Sequence, residues 1–238
     1  MRLLLLLLFA SGCAAPAPIT ALSDLDNRPF AWVDEDGTPR GRDVEMMTLL
    51  AARVGRPLEW RREPFERLLP LVEAGEADVV CATLGVTPER AERVLFTEPY
   101  FHTEIAVVVR AGDGEPRSLA ELGGKRVSGA AGTTSERAVR TKLLYAVGVF
   151  ENKTGGATDQ RLLGGEIDAA VMDGPAADAM VAASGGHLLR LAQTLDGEHY
   201  ALALPKDRAK LARALDRALG ELDRSGALAA LNAAYGLD

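Results

Sequence analysis

Several classes of function are excluded by what this sequence has little of. Two cysteines and three histidines are too few for a disulfide framework and leave little room for a metal site. Positive charge is in deficit: Lys+Arg 27 stand against Asp+Glu 34, a net charge of −7, with no basic run. Holding phosphate backbones takes clustered positive charge, so nucleic acid is not a partner. Aromatic residues make up 5% of the chain, so any ring near a pocket carries unusual weight. No apolar run reaches the ~20 residues that a spanning helix requires. No Gly-x-Ser-x-Gly elbow is present. Nor does a glycine-rich loop end in Gly-Lys-Ser/Thr, because Lys125 is followed by Arg126. What remains is 238 residues, 47% hydrophobic and 26% charged. That composition belongs to a globular chain with enough length for one domain or two small lobes.

The first residues read as an address. Arg2 precedes the run Leu3–Leu8 and then Phe9-Ala10-Ser11-Gly12-Cys13, the pattern of a secretory signal. Ala10-Ser11-Gly12-Cys13 resembles the bacterial lipobox, whose cysteine is acylated, although Ala10 stands where Leu is usual. Ordinary cleavage beyond Ala14 or Ala15 is the alternative. On the first reading residues 1–12 are removed, 13–18 form a Pro-containing tether, and Cys13 anchors the protein at the outer surface of the cytoplasmic membrane. Cys81 is then a buried thiol without a disulfide partner.

From Ile19 onward, helical and strand-like segments alternate, which predicts an α/β fold with mostly parallel strands. Helices are expected over Val44–Val54 and along the stripe Phe65, Leu68, Leu69 and Val72, with Gly55 and Gly75 as stops. Asp78–Thr83 reads as a strand buried on both faces. A second series follows the turn Ala111–Gly114. It has a strand at Arg126–Ser128, a helix over Glu136–Val147, a buried strand Asp168–Met172, and a helix beginning near Pro175. Leu211, Leu215, Leu219 and Leu222 form one late apolar stripe. The two series look like two similar lobes.

An ordered set of short motifs then carries a resemblance. The set comprises Gly41-Arg42-Asp43-Val44-Glu45, Phe65…Leu69-Pro70…Gly75…Asp78-Val79-Val80, Thr87-Pro88-Glu89-Arg90 and Phe96-Thr97-Glu98-Pro99-Tyr100. It continues with Leu122–Val127, Gly132-Thr133-Thr134, Gly164–Asp173 and Tyr200–Lys206. In order and spacing this resembles the family 3 extracellular solute-binding proteins, the amino-acid-type receptors of ABC importers. The resemblance implies a two-lobed Venus-flytrap fold, with lobe 1 formed by residues 19–101 and 200–238 and lobe 2 by 102–199. It also implies crossings near Tyr100–Glu104 and Gly197–Ala201, a monomer without cofactor, metal or catalytic residues, and two partners: a small-molecule ligand and a membrane permease.

An α-amino acid brings a carboxylate and an ammonium, and each is costly to bury unpaired. Arg90, the Arg of the Thr-x-x-Arg element, would clamp the carboxylate with two parallel donors. Thr87 would cap the same short helix or add to the anion site. Asp173, at the end of a buried strand where open α/β sheets place ligands, would take the ammonium; capping the next helix is its other reading. Thr133 and Thr134 resemble the lobe 2 loop that donates to the carboxylate, and Thr134 or Ser135 would equally cap the helix at Glu136. Asp24 falls where the family often has a site Asp, or is a surface turn. Phe65 either stacks on the ligand or packs in the core. Thr83 and Gly85 belong to the run Ala82-Thr83-Leu84-Gly85-Val86-Thr87, where the family often reads Ala-Gly-Leu-Thr-Ile-Thr. Gly85 thus lacks a hydroxyl that commonly touches the carboxylate, and Asn27 replaces a covering ring. A dehydratase on the same scaffold would need a general acid, yet Asp173-Gly174-Pro175-Ala176-Ala177 has no Glu just beyond Asp173. A sensory module without transport would normally be fused to membrane and kinase segments.

Overall fold

The computed structural model describes residues 16–151 and 158–237. The leader and Cys13 lie outside the described residues. Strand β1 (Ile19–Ser23) is followed by a small antiparallel meander of β2 (Asp26–Asn27), β3 (Ala31–Val33) and β4 (Pro39–Arg40). Helix α1 (Arg42–Val54) ends at Gly55, whose φ of 73° closes the last turn in the left-handed region. Then come β5 (Leu58–Arg62), α2 (Phe65–Glu73), β6 (Val79–Val80), the short α3 (Pro88–Ala91) and β7 (Leu95–Phe96). The long β8 (Phe101–Arg110) leads into a second body of β9 (Arg126–Ala130), α4 (Thr134–Lys142), β10 (Val147–Glu151), α5 (Thr158–Leu163), β11 (Ala169–Asp173), α6 (Gly174–Ala183) and β12 (Leu188–Arg190). The chain returns through β13 (Asp196–Tyr200) to β14 (Ala203–Leu204), α7 (Ala209–Arg224) and α8 (Ala227–Ala234).

Among the described residues two larger sheets form, one per lobe. The first runs β5-β1-β6-β14-β7 and the second β10-β9-β11-β8-β12. Each has a parallel trio, β5-β1-β6 and β10-β9-β11, to which the returning and crossing segments add antiparallel strands. The bodies are joined by a ribbon in which β13 pairs antiparallel with the first half of β8, from Asp196 opposite Ile105 to Tyr200 opposite Phe101. Alternate residues of β8 enter opposite apolar layers. Ile105, Val107 and Val109 pack with Val127, Val139 and Val171, while Ala106 and Val108 pack with Leu162, Ile167 and Ala177. In the first lobe Met46, Met47 and Leu50 of α1 meet Leu215, Leu219 and Leu222 of α7 on one face of the sheet. On the other face Leu68 and Val72 of α2 meet Leu22 and Val80.

Three expectations need correction. The expected strand Asp78–Thr83 pairs as a strand only at Val79–Val80. Cys81 lies one residue past it, fully buried, its N–H still bonded to the Leu22 carbonyl (2.9 Å). The expected helix Glu136–Val147 is Thr134–Lys142. The segment beyond Lys142 leaves the helix: Val147 belongs to β10, paired with Arg126, and Leu144 and Tyr145 lie exposed in the connection. The cap position of that helix is Thr133, not Thr134 or Ser135.

A buried charge pair sits where α1 meets the start of β8. Arg42 and Asp43 are both fully buried and paired at 3.1 Å. The Tyr100 hydroxyl donates to the second Asp43 oxygen (2.7 Å), while Arg42 reaches the Tyr100 carbonyl (3.2 Å) and Asn232 of α8 (3.0 Å). Burial pushes the Asp43 carboxyl up from its ordinary range, with Arg42 and Tyr100 opposing. Removing one partner leaves the other charge buried alone. Asp43→Ala is therefore expected to lower unfolding stability by about 3–5 kcal/mol, measured by denaturant titration. Burial also pushes the Cys81 thiol well above its usual range. Thiol reagents should label it slowly in the native protein and fast in denaturant; fast native labelling would contradict the packing of β6.

Candidate functional site

The parallel trios of both lobes end toward one cavity of ≈290 Å³, as open α/β sheets place their ligand crevice. Phe65, Thr83, Gly85 and Arg90 line it from the first lobe, and Thr133, Thr134 and Asp173 from the second. Seven of the nine sequence-predicted site residues are therefore brought together. Thr87 and Asp24 are not in the lining. Thr87 is buried beneath it, its hydroxyl accepting from the Arg90 N–H (3.2 Å) as the cap of α3. Asp24 is buried at the end of β1, where its carbonyl accepts from Arg62 (3.0 Å). A larger hollow of ≈1050 Å³ lies between α6 and the α7–α8 pair and contains none of the nine.

Arg90 spans the gap between lobes. One terminal nitrogen donates to the Gly85 carbonyl (2.7 Å) and the other to the Gly132 carbonyl (3.0 Å) in the second lobe. Its guanidinium carbon lies 6.0 Å from the Phe65 ring centre. Phe65 serves both of its readings, lining the cavity and packing against the Leu68–Val72 layer. Thr83 adopts φ 48°, an uncommon value for a β-branched residue. Its hydroxyl accepts from the Asn27 side-chain amide (2.8 Å), so the residue standing in place of a covering ring instead braces the loop after β6.

On the facing wall Gly132, at φ 75°, turns the chain into α4. The Thr133 hydroxyl returns to the Ala130 carbonyl (2.6 Å), and the Thr134 hydroxyl donates to Glu198 Oε1 (2.5 Å). Asp173 occupies the cap position of α6 but makes no side-chain cap bond there; it faces Glu198 and Tyr200. The lining also carries both signs of charge, with Arg161 paired to Glu151 (2.8 Å) and with Asp26 and Arg28.

Glu198 was missed by sequence reasoning. It lies on β13, 4% exposed, in a segment read only as a crossing. The one signal was the glycine at position 85. A β-carbon there would collide with Glu198 Oε1 and press on the Thr134 methyl (2.9 Å). Burial, then the Asp173 charge, push Glu198 up to about 8, with Thr134 and Arg90 opposing. The carboxyl thus holds its proton at neutral pH. Burial lowers Arg90, against the pull of Glu198 and Asp173.

This geometry, two lobes with opposite charges facing across one cleft, has a counterpart among known families. One family matches residues 19–238. The chain belongs to it: the bacterial extracellular solute-binding proteins, family 3. The chain is similar to a probable amino-acid-binding protein of Bacillus subtilis, 28% identical over 87% of this chain and 79% of the relative. It is likewise similar to the lysine/arginine/ornithine-binding periplasmic protein of Escherichia coli, 26% identical over 91% of this chain and 86% of that one. Among solved structures an ancestral arginine-binding protein bound to arginine superposes with a TM-score of 0.83 at 28% identity, covering 93% of this chain and 99% of that chain. No helix among the described residues is long and apolar enough to cross a membrane.

Protonation of Glu198 gives a pH signature. Its folded value lies above the ordinary 4.5, so the stability it contributes is complete below about 4.5 and is lost as pH rises through about 8. Thermal unfolding of the wild type should weaken across this window relative to Glu198→Gln. Parallel curves for the two proteins would refute the assignment.

Proposed function

We propose that this chain captures an amino acid in the cleft between its lobes, closes on it, and delivers it to the membrane permease of an ABC-type importer, without a catalytic step. The observation that carries the reading is the placing of Arg90 and Asp173 on opposite walls of one cavity. A zwitterion between them satisfies both charges, and neither contact is desolvated until the lobes close, which couples recognition to shape. Lobe 1 (19–101 and 200–238) and lobe 2 (102–199) would then move about the β8–β13 ribbon. Relatives named for binding amino acids support a transport role over an enzymatic one, as does the lack of a Glu just after Asp173. The chain acts as a monomer, held at the outer face of the membrane through acylated Cys13. Cys13→Ser should release it to the soluble fraction; a wild type that is already soluble and begins after Ala14 would remove the anchor from this reading.

A thermal-shift panel of amino acids identifies the ligand, since one at 100 times its Kd raises stability by about 2.7 kcal/mol. Basic amino acids come first, because the relatives include proteins named for arginine and lysine. Calorimetry on Arg90→Ala and Asp173→Ala should then show losses of about 2–5 kcal/mol, or roughly 30- to several-thousand-fold in Kd, with the fold intact by circular dichroism. Arg90→Lys should also bind poorly, because an ammonium lacks the two-pronged geometry. Binding by folded Arg90→Ala within about threefold of wild type would overturn the clamp.

A further inference from the structure

Glu198 stands where no side chain of residue 85 can. Gly85 lines the cleft from the first lobe and Thr134 from the second, and the Glu198 carboxyl is packed against both from the crossing strand β13. The Thr134 hydroxyl has one hydrogen, and that hydrogen goes to Glu198 Oε1 (2.5 Å). A hydroxyl that has spent its only hydrogen offers the cleft nothing but lone pairs. The charged or titratable groups facing Glu198 are Asp173 at the end of β11, Arg90 from α3 and Tyr200 farther along β13. Burial, with the Asp173 charge adding to it, keeps a proton on Glu198; carried on Oε2, that proton leaves Oε1 to accept from Thr134, and Glu198 adds no second full negative charge beside Asp173 at neutral pH.

We infer that Glu198 is a specificity-determining residue that sets the polarity of the second lobe's wall: by taking the Thr134 hydrogen it turns that hydroxyl into an acceptor, suited to a ligand's ammonium or N–H hydrogens and not to its carboxylate. The inference deepens the amino-acid reading and rests on it. It reverses the role that the resemblance implied for Thr134, and it accounts for the glycine at position 85. A larger residue there would displace the carboxyl that orients Thr134. The two walls then divide the work. The first lobe supplies the donors through Arg90, while the second supplies the acceptors through Asp173 and Thr134.

The test compares two probes by calorimetry: L-arginine and its des-amino analogue, which keeps the carboxylate and guanidinium but lacks the ammonium. Glu198→Ala frees the Thr134 hydroxyl to donate again. The preference for arginine over the analogue should fall about tenfold, with analogue affinity unchanged or tighter. Glu198→Gln, whose amide oxygen still accepts from Thr134, should restore the preference. Equal changes toward both probes, or none, would overturn the inference while leaving the amino-acid reading in place. If wild type binds neither probe nor any other amino acid, that reading fails separately. The Glu198–Thr134 pairing is then decided on ligand-free protein. Thr134→Val and Glu198→Ala must be non-additive in thermal unfolding, and additive shifts would overturn it.

Discussion

The buried Arg42–Asp43 pair is the constraint from which the arrangement of the cleft follows. Its partners come from parts of the chain far apart in sequence: the start of α1, the entrance to β8 at Tyr100, and Asn232 of α8. Because two full charges are withdrawn from water, each must find its counterpart in one geometry. That requirement fixes the C-terminal helices and the root of the crossing ribbon against the first lobe. Phe30, Phe101 and Tyr200 continue the contact, with Phe30 edge-on to both rings and Phe101 stacked on Tyr200. Tyr200 shares β13 with Glu198, so a short chain of packed groups leads from the ion pair to the floor of the cleft.

The cleft itself is economical with donors and acceptors. Arg90 is already engaged by two backbone carbonyls, one from each lobe, and Thr83 and Thr133 turn their hydroxyls to neighbouring groups in their own lobes. The bonds made within one lobe hold a group's orientation whether or not the lobes have closed. Such preorganisation reduces the ordering that binding must otherwise bring about.

What was legible in the sequence divides along a physical line. The motif around Thr87 and Arg90, the buried strand ending at Asp173 and the turn at Gly132 are local patterns, because caps, strand ends and turns are written in adjacent residues. Seven expected residues consequently meet at one cavity. Thr87 takes the capping role that was one of its two readings, while Asp24 stays out of the lining because a local pattern cannot say on which side of a loop a side chain emerges. Glu198 escaped for a different reason: its environment is assembled from Gly85, Thr134 and Asp173, three segments far from it in the chain. Likewise, the end of α4 was misplaced because Val147 pairs with Arg126 in the sheet, a contact that the residues around Val147 do not announce. Non-local contacts decided each of these cases.

Strand β8 is held differently along its length. Val108 and Val109 are paired on both edges, by β11 and by β12, whereas from Phe101 to Glu104 the described pairing is with β13. Ile105 stands opposite Asp173 on one edge and Asp196 on the other. The cleft-facing end of β11 is thereby tied to the residue at which β8 passes from the ribbon into the second lobe's sheet. One residue sets both the register of the crossing and the place of Asp173.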